Sequence, residues 1–120
     1  MGIALITGGS GHVGANLVRE LSSRGYEVRC IDFDNDHRAF EGFNVELVKG
    51  NITDISTLDN AFKDVEVVFH TAAVISLDRK DKDLIRSVNV GGTENVCEMS
   101  LRHGVKTVSY THLRAHETLD

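Results

Sequence analysis

The sequence predicts an α/β domain, an open sheet of parallel strands with helices on both faces, and three observations carry that expectation. Apolar runs of strand length alternate with stretches whose apolar residues recur at helical spacing. A glycine-rich turn sits directly between the first such run and the first helical stretch. The elements follow one another as strand, helix, strand, loop, strand, helix, strand, and right-handed crossovers turn that order into a parallel sheet covered on both sides. With 120 residues the chain suffices for one real core and is short for two domains.

The first strand is the apolar run Ile3-Ala4-Leu5-Ile6. A helix starts near His12, with Val13, Leu17, Val18 and Leu21 on one side and Arg19, Glu20, Ser23 and Arg24 on the other, and Gly25 supplies its C-terminal cap. The second strand, Glu27 to Ile31, stops at Asp32. A polar loop through Asn35, Asp36, His37 and Arg38 regains apolar character at Phe40 and Phe43. Val45-Glu46-Leu47-Val48 alternates as a third strand, and Lys49 to Ile52 closes it into a turn. Thr53 or Asp54 is placed to cap a short helix carrying Ile55, Leu58, Ala61 and Phe62. The fourth strand runs from Val65 to Phe69 and ends at His70. The longest helical pattern spans Asp83 to Arg102, its stripe formed by Ile85, Val88, Gly92, Val96 and Met99. Gly104 ends it, and Val105 to Val108 opens a fifth strand beside the fourth.

The turn after the first strand, Thr7-Gly8-Gly9-Ser10-Gly11-His12-Val13-Gly14, carries the chemistry. Gly9, Gly11 and Gly14 fit the G-x-G-x-x-G spacing, which combines a tight turn, close backbone approach to a pyrophosphate and close helix packing. The following helix aims its unpaired amides at the phosphates. Asp32 ends the second strand 18 residues beyond Gly14, where a Rossmann-type fold places the carboxylate that takes the ribose hydroxyls.

Composition narrows the function classes. A net charge of -5 without a basic cluster argues against nucleic acid as a partner. No apolar run approaches membrane-spanning length and the first strand leaves no room for a leader, so a cytoplasmic protein without a membrane partner is expected. Cys30 and Cys97 are expected to be free thiols of a reducing compartment.

The residues resemble the extended short-chain dehydrogenase/reductase superfamily, which includes NAD-dependent epimerases, dehydratases, hydroxysteroid dehydrogenases and dihydroflavonol-type reductases. Its T-G-x-x-G-x-x-G signature stands as Thr7, Gly8, Gly11 and Gly14. Its G-D-hydrophobic-T-D turn stands as Gly50-Asn51-Ile52-Thr53-Asp54, with Asn51 in place of Asp. Its H-x-A-A stretch is His70-Thr71-Ala72-Ala73, and its N-V-x-G-T-x-N-V motif is matched in full by Asn89 to Val96. The resemblance implies NAD, rather than NADP, as cofactor, held by Gly8, Gly11, His12, Val13, Gly14, Asp32, Asn51, Ile52, Ala72, Ala73 and Asn89. The amide oxygen of Asn51 is expected to stand in for the usual carboxylate toward the adenine amino group.

The resemblance further implies an oxidoreductase, epimerase or dehydratase acting on a small hydroxylated substrate, whether sugar nucleotide, steroid-like or flavonoid-like, and leaves a homodimeric parent open. In such enzymes a Ser or Thr after the fifth strand and a Tyr-x-x-x-Lys pair do the chemistry. Neither stands in a matching position here, so no catalytic residue and no metal ligand is assigned, and the chain by itself is expected to be inactive. Tyr110 and Arg114 reproduce the spacing only by coincidence, ahead of the helix that should carry the pair. A noncatalytic module that binds or senses NAD(P) is the alternative.

Residues 108–118, Val-Ser-Tyr-Thr-His-Leu-Arg-Ala-His-Glu-Thr, break the family pattern in the middle of a strand. They are similar, residue for residue, to one reading frame of the end sequence plus adapter used in transposase-based sequencing libraries. Residues 1–108 are accordingly expected to form a dinucleotide-binding domain truncated after its fifth strand, residues 109–120 an artefactual tail, with the substrate domain missing. His112 and His116, four apart beside Glu117, are set aside on the same ground rather than taken as a metal-binding pair.

Overall fold

A strand that is apolar on both sides needs cover on both faces, and β1 (Ile3–Thr7) has it: Ala4, Leu5, Ile6 and Thr7 are all buried. The computed structural model describes residues 2–7, 12–32, 42–71 and 90–110, and of His12 to Ala15, Asp32 and Tyr110 the backbone alone. After β1 come α1 (His12–Ser23), β2 (Glu27–Asp32), β3 (Val45–Lys49), β4 (Val65–His70), α2 (Gly92–Arg102) and β5 (Thr107–Tyr110). The strands form one five-stranded sheet in the order β3-β2-β1-β4-β5, every pair parallel. The doubly wound α/β sheet expected from the sequence is therefore present.

Alternation along the strands divides the interior into two layers. Ala4, Ile6, Val28, Cys30 and Val67 face α1, where they meet Val18 and Leu21. Leu5, Ile31 and Val68 face the other way, onto Val96 and Met99 of α2 and onto Leu58, Ala61 and Phe62. Val65 shares that second layer with Val68 although they lie three positions apart, an odd spacing that simple alternation forbids. The register explains it, because β4 shifts by one residue between the partners of Ile3 and Ala4. This irregularity at Glu66 turns Val65 back toward the α2 side.

Both helices stop for the same reason. Gly25 has φ +90°, and the amides of Gly25 and Tyr26 return to the carbonyls of Ser22 and Leu21, the paired bonds of a Schellman motif. At the end of α2, Gly104 has φ +66°, and Gly104 and Val105 donate to Leu101 and Ser100 in the same pattern. Tyr26 and Val105 then pack on their respective layers as the motif requires.

Two elements differ from expectation. The short helix after Thr53 is a pair of 3-10 turns, Ile55–Thr57 and Asn60–Phe62. Leu58, the C-cap of the first turn, and Ala61 and Phe62 of the second are all buried. Asp54 does cap the first turn, its carboxylate accepting from the Ser56 amide at 3.1 Å. The fifth strand is shifted in frame: Val105 belongs to the cap of α2, β5 starts at Thr107, and it runs on to Tyr110, past the boundary expected at 108. The expected helix start near Asp83 lies outside the described residues.

Candidate functional site

All strands point one way, so their carboxyl ends line one edge of the sheet, where Asp32 closes β2 and Asn51 and Ile52 follow β3. The chain leaves β1 after Thr7 and re-enters regular structure at His12, the first residue of α1. Asp32 is the last residue of β2 and sits in register with Lys49, the last residue of β3, so the turn from Gly50 to Ile52 begins level with it. Ala72 and Ala73 follow directly on β4 and Thr71. Gly8, Gly11, Ala72, Ala73 and Asn89 lie outside the described residues, whereas the backbone of His12, Val13, Gly14 and Asp32 is in place at this edge. From β1 the winding proceeds outward through β2 and β3 in one direction and through β4 and β5 in the other. The point between β1 and β4 where it reverses is where open α/β sheets form a ligand crevice.

Thr7 and His70 are register partners across that point. Both are buried, Thr7 completely and His70 with 5 % exposure. Thr7 Oγ1 lies 2.7 Å from His70 Nδ1, and His70 Nε2 lies 3.0 Å from Thr93 Oγ1 in the first turn of α2. The Thr71 amide donates to Thr7 Oγ1 at 3.0 Å, and the Thr71 hydroxyl donates to the Thr7 carbonyl. Four hydroxyl and imidazole side chains from three motifs thus meet at the strand ends.

The turn after β3 is tied to α2 as well. Asn95 Nδ2 donates to the Ile52 carbonyl at 2.8 Å. A Cβ on Gly92 would lie 2.5 Å from Ile52 Cδ1 and 2.8 Å from Cγ1, so only glycine lets α2 sit this close. Ile52 therefore gives its side chain to the core and its carbonyl to Asn95, which narrows what it offers a ligand. Asn51 differs from expectation too. Its Oδ1 accepts from the Thr53 amide at 3.0 Å and from the Thr53 hydroxyl at 2.8 Å. Both lone pairs of that oxygen are engaged within the turn, leaving the NH2 as the outward hydrogen-bonding group.

Reading the motifs for glycines, Asp32 and small residues missed Thr7, His70 and Thr93 as a connected group. Strand parity held the signal: Thr7 lies two residues from Leu5 and His70 two from Val68, on the face that α2 covers. Among the described residues no cluster of His, Cys, Asp and Glu has the arrangement of a metal site, and no helix is long and apolar enough to cross a membrane. Cys30 is buried, Cys97 is exposed, and neither forms a disulfide.

Together, the reversal of winding, the glycine-rich turn at that point and the acidic residue closing β2 define a Rossmann-type domain of the short-chain dehydrogenase/reductase class. Residues 5–113 match the 3-beta hydroxysteroid dehydrogenase/isomerase family, and the chain belongs to it. It is 41 % identical over 118 residues to 3 beta-hydroxysteroid dehydrogenase/Delta 5-->4-isomerase of Mycobacterium tuberculosis, with 92 % of this chain and 31 % of that protein covered. It is 40 % identical over 108 residues to sterol demethylase protein B of Methylococcus capsulatus, covering 89 % of this chain and 33 % of the relative. Among solved structures, a short-chain dehydrogenase/reductase superfamily protein from Agrobacterium tumefaciens with bound NAD superposes with a TM-score of 0.78 at 30 % identity, over 90 % of this chain and 31 % of that one. The chain thus spans about a third of the length of these proteins.

Proposed function

We propose that this chain is the NAD-binding part of an NAD-dependent oxidoreductase acting on a secondary alcohol of a steroid-like substrate, with the rest of the protein supplying the substrate contacts and the acid/base pair. The observation that carries the reading is the reversal of winding between β1 and β4, with the glycine-rich turn leaving β1 at that point. The donor set fits the cofactor. The amino end of α1 opens at the crevice edge, suited to a pyrophosphate beside Gly8, Gly11, His12, Val13 and Gly14. Asp32 would take ribose hydroxyls, and Asn51, through its NH2 rather than its oxygen, would meet a ring nitrogen of the base. Ala72, Ala73 and Asn89 complete the proposed lining. Bound NAD supplies a hydride acceptor. The names of the two relatives favour a hydroxysteroid over a sugar nucleotide.

Titration of the full-length protein with NADH and NADPH tests this. NADH should bind more tightly, since Asp32 repels a 2′-phosphate, and Asp32→Ala should weaken NADH binding. Tighter NADPH binding, or NADH affinity unchanged in Asp32→Ala, refutes the cofactor assignment. The 120-residue chain alone should show no NAD-dependent oxidation of a 3-hydroxysteroid. Turnover lost on Gly11→Asp would overturn that expectation and return Tyr110 to consideration.

A further inference from the structure

We infer that His70 is a positioning residue: its imidazole bridges Thr7 at the end of β1 and Thr93 in the first turn of α2, and dinucleotide affinity depends on that bridge. The inference rests on the reading of the crevice as a dinucleotide site.

A neutral imidazole offers one donor and one acceptor, and a hydroxyl offers both. Thr7 and Thr93 therefore satisfy the ring in either tautomer: the proton order can run from Thr7 through the ring to Thr93, or in reverse. The two short contacts, 2.7 and 3.0 Å, fix the ring from both ends. The surrounding layer is built of Leu, Ile, Val, Phe and Met, so packing alone would be served at this position by an apolar side chain. Burying polar side chains costs free energy unless they are hydrogen-bonded; among the described residues Ser100 meets that cost by donating to the Val96 carbonyl within α2, whereas Thr7 and His70 meet it with each other across two strand ends.

The bridged atoms are also one residue from the parts that matter. Thr7 immediately precedes Gly8, Thr71 immediately precedes Ala72, and Thr93 follows Gly92, whose close approach to Ile52 holds the turn that carries Asn51. A change in the ring's position therefore acts on the ends of β1 and β4 and on the start of α2 together.

Thr93→Val keeps the shape and removes the hydroxyl, whereas Thr93→Ser keeps the hydroxyl. In the full-length protein Thr93→Val should raise the NADH dissociation constant and the KM for NAD about tenfold, the size set by losing one buried hydrogen bond, with kcat within about twofold. Thr93→Ser should stay within about twofold on both. His70→Asn retains a partner for Thr7 but cannot reach Thr93, so it should match Thr93→Val, and the double variant should be no worse than either alone. Losses that multiply in the double variant, or a Thr93→Val protein with a lowered Tm and unchanged NADH affinity, overturn the inference and leave His70 a packing residue. Amide exchange at Thr71 separates the two readings. It should accelerate in Thr93→Val whether or not NADH binds, and unchanged exchange refutes the bridge. Failure of the unaltered protein to bind either dinucleotide refutes the function proposed above together with the dependence of affinity on the bridge, whereas NADH binding that Thr93→Val leaves unchanged refutes the inference alone.

Discussion

The two helices cover opposite faces of one sheet, yet the contacts of their described side chains differ in kind. Among the described side chains, α1 lies on Ala4, Ile6, Val28, Cys30 and Val67 through Val18 and Leu21, an apolar contact. α2 adds to Val96 and Met99 a set of directional ties: Thr93 to His70, Asn95 to the Ile52 carbonyl, and a glycine pressed against Ile52. Burial drives both contacts, but only directional ties fix register. The helix with these ties is the one whose first turn meets the turn after β3 and the last residue of β4. The ties of α2 thus fix the end of β4 and the turn after β3 relative to each other, while the described contact of α1 chiefly supplies burial.

The sharpest way to break this asymmetry is to push α2 away from the sheet. Gly92→Ala places a methyl 2.5 Å from Ile52 Cδ1 and 2.8 Å from Cγ1. Ile52 is 7 % exposed and β-branched, so it cannot swing aside without disturbing the layer. The variant should lose about 1 to 3 kcal/mol in chemical denaturation, the usual cost of overpacking. Ile52→Val deletes the nearer carbon and should recover part of that loss in the double variant. A Gly92→Ala protein as stable as its parent would mean that α2 is as loosely seated as α1.

Much of this was legible in the sequence, for reasons that also mark where legibility ends. Apolar runs and helical stripes are local, so the succession of elements along the chain and both glycine caps could be read from residues a few positions apart, such as Leu21, Gly25 and Tyr26. The ends of β2 and β3 were equally legible, because Asp32 closes the one and the turn of residues 50–52 follows the other. The bridge was not, since Thr7 and His70 are separated by 63 positions and meet only through the β1–β4 register. The shift in that register at Glu66 has no local signature. Nor could spacing alone decide between a helix and 3-10 turns at Leu58, Ala61 and Phe62, because residues three apart share a side in both. Asn51 shows a subtler limit. Its departure from the family motif was visible, but the engagement of its oxygen by Thr53 needed coordinates.

A smaller effect tests whether the two helices at least end alike. Gly25→Ala and Gly104→Ala each force an L-residue into a left-handed conformation, at φ +90° and +66°, with nothing within 4 Å of the added methyl. Sterics therefore contribute nothing, and backbone strain alone should cost about 1 kcal/mol at each, part of it offset by the lower entropy of the unfolded chain. Equal losses in urea denaturation would place the asymmetry between α1 and α2 in their faces rather than their ends. A loss at Gly104 several times that at Gly25 would shift it to the cap that hands α2 over to β5.

The smallest expected effect comes from a matched pair of ion pairs, one on each helix. Arg24 and Glu20 on α1 approach to 2.9 Å, and Arg102 and Glu98 on α2 to 3.0 Å, each four residues apart with more than half of every side chain exposed. Water screens such pairs and holding two long side chains costs entropy, so Glu20→Gln and Glu98→Gln should each change stability by no more than about 0.5 kcal/mol, less in high salt. Arg29 provides the contrast. Its side chain is 12 % exposed, and besides Glu46 at 2.6 Å it donates to the carbonyls of Ala61 and Lys63 at 2.7 and 2.8 Å, closing the second 3-10 turn against β2. Removing only the carboxylate, in Glu46→Gln, leaves those carbonyl bonds in place and should resemble the two helix variants. Arg29→Met should cost more, about 1 to 3 kcal/mol, because two carbonyls at the end of a turn lose a charged donor. If Glu20→Gln or Glu98→Gln proved as costly as Arg29→Met, surface charge rather than directional ties to the backbone would be setting how the layers are held.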